Sequence, residues 1–233
     1  MIAFHGSKEL KEVLLAEIGR HEAADAITKG LYGEAELPLT EFKGCAIGCA
    51  LHSLNAIHCP IAEAVSVSRQ VGDHNRFQTE LGIPVELAYH IDTLFENLPD
   101  GEAQTWPRRV IEAIPVGANL SGVIPSLLQW MIINPSEGLI AKADPQFHAA
   151  YRAFAALVAR HWANSGSVSD TEWDAVEDSL AGCKVWARAG AWAGAWARAW
   201  AWAGARAGTG AWAGAWAYSR LGEETLRLIR ESK

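Results

Sequence analysis

From position 187 to 217 every odd-numbered residue except Thr209 is alanine, and the residues between are all Trp, Gly or Arg. Strict alternation suggests a strand, but a strand over this span would far exceed the usual length of about 3–10 residues. Alanine and glycine are also poor strand formers. Alanine is the best helix former, against a cost of about 1 kcal/mol for each glycine. At about 100° per residue, Trp186, Trp192, Trp196 and Trp200 share a sector about 120° wide. Arg188, Arg198 and Arg206 fall in a second sector, and Gly190, Gly194, Gly204 and Gly208 in a third. The period of two therefore contains a helical pattern. Gly208-Thr209-Gly210 is the natural break, so the tract predicts a helical hairpin, Thr171–Ala207 and then Ala211–Glu231, with Leu226 and Ile229 placed for core contact.

Trp, Arg and Gly share the codon form NGG, so single first-base changes interconvert them. Tandem duplication of an alternating GCC-NGG array is a hypothesis for the tract's origin; scattered synonymous codons for alanine and arginine in the gene would refute it.

The rest of the chain also reads as helical. Leu10, Val13, Leu14 and Ile18 give helical spacing over Ser7–Lys29, with Gly30 as the stop. Thr40 caps a second helix through Ile57, ended by Pro60, and a short helix follows at Ala62–Val71. Asp73–Gly82 reads as a turn with a short helical piece. Pro84 opens VELAYHIDTLFENL, with a stripe of Leu87, Ile91, Leu94 and Phe95. Thr105 and Pro107 start a further helix. PVGANLSGVIP reads as a loop and Leu127–Asn134 as a short apolar helix. Pro145 opens an amphipathic one, and Ser169 and Glu172 match a capping box. No stretch offers β-branched strands joined by hairpin turns. The expected fold is all-α: a helical N-terminal domain over 1–165, with the repeat region 169–233 packing on it as a helical hairpin.

Half of the 233 residues are hydrophobic, enough for a sizeable core. A net charge of −7 argues against non-specific nucleic-acid binding. No membrane span is expected, because each tract arginine would cost roughly 2.5–3.5 kcal/mol near the bilayer centre. MIAFHGSKELKEVLL lacks a basic region followed by an apolar one, so no secretory signal is read there. The four cysteines are then expected as free thiols in a reducing cytoplasm.

Several clusters are candidates for chemistry. Cys45, Cys49 and His52 stand at i, i+4 and i+7, a thiolate–imidazole set suited to zinc, with His58 or Cys59 as a fourth ligand. The same cysteines also suit a tight apolar helix contact beside Gly44 and Gly48. His21 and Asp25 form an i, i+4 polar pair. In DHNRFQTELGIPVELAYHIDTLFE, His74 and Arg76 are candidates for an anionic ligand. Glu80 and Glu86 are candidate general bases. His90 and Asp92 are further candidate metal ligands, and Asp92 and Glu96 follow on a neighbouring face. Gly117 in AIPVGANLSGV could bring backbone amides to a ligand, but the loop has neither the Walker nor the dinucleotide pattern.

The order KGCAIGC, LGIPVELAYHIDTLFENLP, WPRRVIEAIPVGANLS resembles a family of uncharacterised bacterial and phage proteins over roughly residues 10–135. The resemblance implies a bacterial or phage cytoplasmic setting, with phage–host conflict as a context, and assigns no mechanism. Three functions remain open. One is a non-enzymatic binding protein for a small anionic, nucleotide-like ligand or a partner protein, with His74, Arg76, Trp192, Trp196, Arg198 and Trp200 as its contacts. Another is a metal-dependent hydrolase using Cys45, Cys49, His52, His90 and Asp92. The third is a module that self-associates into homo-oligomers through the Trp/Ala repeats.

Overall fold

The computed structural model describes residues 1–24, 26–30, 43–50, 54, 74–164, 167–183 and 215–233, with side chains from Tyr218 onward in the last stretch. The described residues are helical, with no strand among them and a single parallel bridge between Ile27 and Gly44. No helix among them is long and apolar enough to cross a membrane. They divide into two units, one of Met1–Ser121 with Trp212–Lys233, the other of Gly122–Ala211. The C-terminal helix groups with the N-terminal residues in the first unit.

In the first unit α1 (Lys8–Ala23) begins where the Ser7 hydroxyl accepts the Leu10 N–H, and it buries Leu14, Ile18 and His21. It stops earlier than Lys29. Ala26–Thr28 is drawn instead into the bridge, with Thr28 N–H donating to the Gly44 carbonyl and Gly44 N–H to that of Ala26. Gly44 is held in that pairing, and among the described residues the helix expected from Thr40 is seen from residue 46.

Helix α2 (Asn75–Leu81) ends on Gly82 at φ +64, where a Cβ would meet the Ile2 carbonyl oxygen at 2.0 Å. Only glycine fits both the left-handed backbone and that approach. Pro84 then sets off α3 (Val85–Asn97), buried around most of its circumference. Helix α4 (Asp100–Ala113) starts five residues before Thr105 and carries Pro107 in its interior. Its buried residues include Ala103, Trp106, Pro107, Val110 and Ile111, a helical stripe that burial of the ring extends. Lys11 Nζ donates to the Glu112 and Ile114 carbonyls at its end, and Lys29 Nζ to the Leu98 carbonyl and the Asp100 carboxylate at the α3–α4 corner. Lysines at helix C-termini satisfy carbonyls that lack an intrahelical partner.

In the second unit α5 (Val123–Ile133) packs along α6 (His148–Ala163), and α7 (Asp170–Ser179) packs on α6. The capping box holds: the Ser169 hydroxyl accepts the Glu172 N–H, and the Glu172 carboxylate accepts the Ser169 N–H. Trp173 meets the rings of Phe154 and His161 edge-on. The helix expected from Thr171 to Ala207 ends at Ser179, however, and Gly182 turns the chain at φ +83.

Helix α8 (Ala215–Arg230) returns to the first unit and packs on α3 and α4. Tyr218, Gly222, Thr225, Leu226 and Ile229 line its inner face, including the two residues expected there. At Gly222 a Cβ would lie 3.3 Å from the Trp106 ring, so the missing side chain allows this contact. Arg109 pairs with Glu223, and the Ser219 hydroxyl donates to Glu102. The helix expected at Ala62–Val71 and the repeats of 184–214 lie outside the described residues.

Candidate metal centre

Asp92 and Glu96 are four residues apart on α3 and so share one side of it. The bridge at Gly44 delivers Cys45 to the head of the helical turn at 46–50. There its carbonyl accepts the Cys49 N–H, and its sulfur lies 3.4 Å from the Gly48 nitrogen in a weak N–H···S contact. Cys45 Sγ, an Asp92 oxygen and a Glu96 oxygen lie within 4.8 Å of one another.

Each carboxylate has one oxygen held from behind. His74 Nε2 donates to Asp92 Oδ2 at 3.2 Å, and Gly30 N–H donates to Glu96 Oε2 at 2.9 Å. Asp92 is 7% exposed, yet its Oδ1 has no hydrogen-bond partner among the described residues. Buried polar atoms are rarely left so, because the lost hydration is not replaced. The cluster also resists its own negative charge. Burial, and then the Asp92 charge, push the Cys45 thiol far above the ordinary range. Burial raises the Glu96 pKa, the Gly30 N–H opposes this, and Asp92 raises it further.

A thiol and two carboxylates with outer donors already in place form a donor set for a divalent borderline cation such as zinc. Two of the five metal candidates, Cys45 and Asp92, meet here. Sequence reasoning placed Glu96 beside Asp92 but left it out of the ligand set, although their i, i+4 spacing was the signal.

Other candidates go elsewhere. Cys49 is fully buried, and its thiol lies 3.3 Å from the Gly44 carbonyl oxygen. Burial pushes its pKa up to about 12. Cys45 thus lies with Asp92 and Glu96, whereas the Cys49 thiol meets the backbone carbonyls of Ala26 and Gly44. His90 lies against α8, with Nε2 3.0 Å from Thr225 Oγ1. The Thr225 hydroxyl donates its proton to the Leu221 carbonyl, so it accepts from His90 Nε2–H. Burial lowers the His90 pKa to about 4 and keeps the ring neutral.

His74 is 2% exposed and faces a carboxylate, and Arg76 Nε donates to Glu80. The pair chosen for an anion thus has acidic neighbours, and Glu80 is engaged as an ion-pair partner. Glu86 is half-buried in the first turn of α3. The Gly117 N–H donates to the Ala3 carbonyl, so this loop straps the N-terminal segment in place of a ligand. His21 is buried on α1. Asp25, His52, His58, Cys59, Trp192, Trp196, Arg198 and Trp200 lie outside the described residues. Compared with known proteins, the chain matches no family model, no curated protein and no solved structure.

Proposed function

We propose that the chain is a non-enzymatic binding protein whose ligand is a divalent cation, zinc by the donor set, held by Cys45, Asp92 and Glu96. The carrying observation is that Asp92, whose Oδ1 lacks a well-formed hydrogen bond, stands with a thiol and a second carboxylate in one cluster, the Cys45 sulfur and the Glu96 carboxylate each meeting a backbone N–H. A cation supplies the missing partner and relieves the repulsion among three acidic groups.

Binding suits this donor set better than hydrolysis. A thiolate and two carboxylates carry three negative charges, more than a dication neutralises, and this weakens the ion's pull on a bound water. The candidate bases add no support. Glu80 is tied to Arg76, and Glu86 lies about 9 Å along the helix axis from Asp92 at 1.5 Å per residue. For this site a cation is proposed and not an anion, because its carboxylates are negative; Trp192, Trp196, Arg198 and Trp200, expected as anion contacts, lie outside the described residues.

Titrating the purified full chain with Co²⁺ tests the reading. The expected result is one ion per chain and thiolate-to-cobalt absorption in the near ultraviolet. Both persist in Cys49→Ser and disappear in Cys45→Ser. No uptake by the wild-type chain, or absorption unchanged in Cys45→Ser, overturns it.

A further inference from the structure

We infer that His74, clamped by Tyr89, is the positioning residue that makes Asp92 a preformed one-oxygen ligand; this rests on the cation reading above. Tyr89 and Asp92 stand three residues apart on α3 and face the same side. The His74 ring lies on the Tyr89 ring with centroids 4.0 Å apart and planes 21° from parallel. From that stack Nε2 reaches Asp92 Oδ2 at 3.2 Å. The stack fixes the plane of the imidazole, and the hydrogen bond fixes its rotation within that plane. The His74 backbone is fixed as well, because its carbonyl accepts the Phe77 N–H at the start of α2.

The consequence falls on the carboxylate. With Oδ2 held by His74, the torsion that turns the Asp92 carboxylate is restrained and Oδ1 is presented in one direction. Glu96 receives the same treatment from the Gly30 N–H. One of the two supports is backbone, and the other is a side chain open to substitution. A purely structural His–Asp pair would be expected to satisfy the carboxylate. Here the pair leaves one oxygen in a buried place with no well-formed hydrogen bond, beside a Cys45 thiol that is at best a weak donor to Asp92, which suits a ligand atom better than a structural one.

The test measures Co²⁺ affinity by chelator competition on the full chain, together with the cobalt ligand-field spectrum and the metal-free melting temperature. His74→Phe keeps a ring to stack on Tyr89 and removes the donor. His74→Gln keeps an N–H donor. Loss of such an outer-shell partner weakens metal binding about 10–100-fold. That loss and an altered ligand-field spectrum are expected in His74→Phe, and recovery of most of the affinity in His74→Gln. Tyr89→Leu, which keeps the donor but frees its plane, is expected to fall between them. Should His74→Phe fail to fold, His74→Gln and Tyr89→Leu carry the comparison.

The two readings fail separately. If the wild-type chain takes no cobalt, or Cys45→Ser binds it as the wild type does, the cation reading falls and takes this one with it. If the wild type binds and Cys45→Ser does not, while the His74 and Tyr89 variants keep wild-type affinity and spectrum, the positioning role alone is overturned. Affinity that tracks only the metal-free melting temperature, with no rescue by glutamine, overturns it too.

Discussion

Helix α3 carries two buried polar residues two positions apart, His90 and Asp92, which at about 100° per residue point to opposite sides. On the α8 side, His90 Nε2 meets a threonine hydroxyl that passes its own proton to a carbonyl. Close by, the Trp106 indole N–H donates to the Ile91 carbonyl, and its ring meets Gly222. On the Cys45 side, Asp92 has one oxygen held and one left over. Burial is similar on the two sides and hydrogen-bond completion is not. A buried polar group with its partner in place specifies packing, whereas one with a lone pair left beside other ligating atoms is built for something added. The comparison yields predictions for each side.

The largest effect belongs to the α8 side. Trp106→Ala removes the most voluminous fully buried side chain among the described residues and the donor to Ile91. A loss of about 3–5 kcal/mol is expected in denaturant unfolding. A loss below about 1 kcal/mol, within the range of ordinary surface substitutions, would mean that α8 does not rest on this ring.

Acid comes next. The His90 pKa of about 4 lies below the ordinary value of 6.5, so as pH falls the unfolded chain takes up the proton first. Stability from this group is intact above pH 6.5, falls between 6.5 and 4, and is lost below that. At about 1.36 kcal/mol per unit the full loss is on the order of 3 kcal/mol. Unfolding free energies of the wild type and His90→Leu across this window should differ in slope in that sense. Parallel curves would show that His90 is not held neutral.

Thr225→Val sharpens the same side. It keeps the shape, removes the acceptor and strands the His90 N–H, at a cost of about 1–3 kcal/mol. Cobalt affinity should stay at its wild-type value, since Thr225 faces away from Cys45. A fall in affinity that exceeds the stability change would join the two sides and dissolve the contrast.

What could be read from the sequence divides along similar lines. Local rules worked where the deciding atoms are neighbours in the chain: Ser169 with Glu172, Pro84 ahead of α3, Leu226 and Ile229 on one face of α8. They failed where a distant segment decides. Pro107 reads as a helix start because proline favours the first turn, yet it sits inside α4, where its ring is buried. Periodicity and the stop at Gly30 carry α1 to Lys29, but the pairing of Ala26–Thr28 with Gly44 lies in that span and α1 ends at Ala23. The site shows both cases. Asp92 and Glu96 are visible as an i, i+4 pair. Their junction with Cys45 depends on the Ile27–Gly44 bridge, and the approach of His74 depends on its stack with Tyr89. Neither contact leaves a mark in local spacing.

The smallest effect tests the open side most directly. Asp92→Asn keeps an oxygen to accept from His74 and replaces the other carboxylate oxygen with an NH₂, in a cluster where an Asp92 oxygen, Cys45 Sγ and a Glu96 oxygen lie within 4.8 Å of one another. It also removes one negative charge from a buried acidic cluster. Sites built for a ligand are commonly unfavourable without it, and substitutions that relieve them raise stability while abolishing function. The metal-free variant should therefore be more stable than the metal-free wild type by about 1 kcal/mol, the lower end of the penalty for a buried unpaired polar group. With Co²⁺ present the order reverses, because only the wild type gains binding energy. Calorimetric melting of both proteins with and without the ion reads this crossing. If Asp92→Asn is destabilised without metal by as much as Thr225→Val, Asp92 is a structural partner of His74 and the two sides of α3 are built alike.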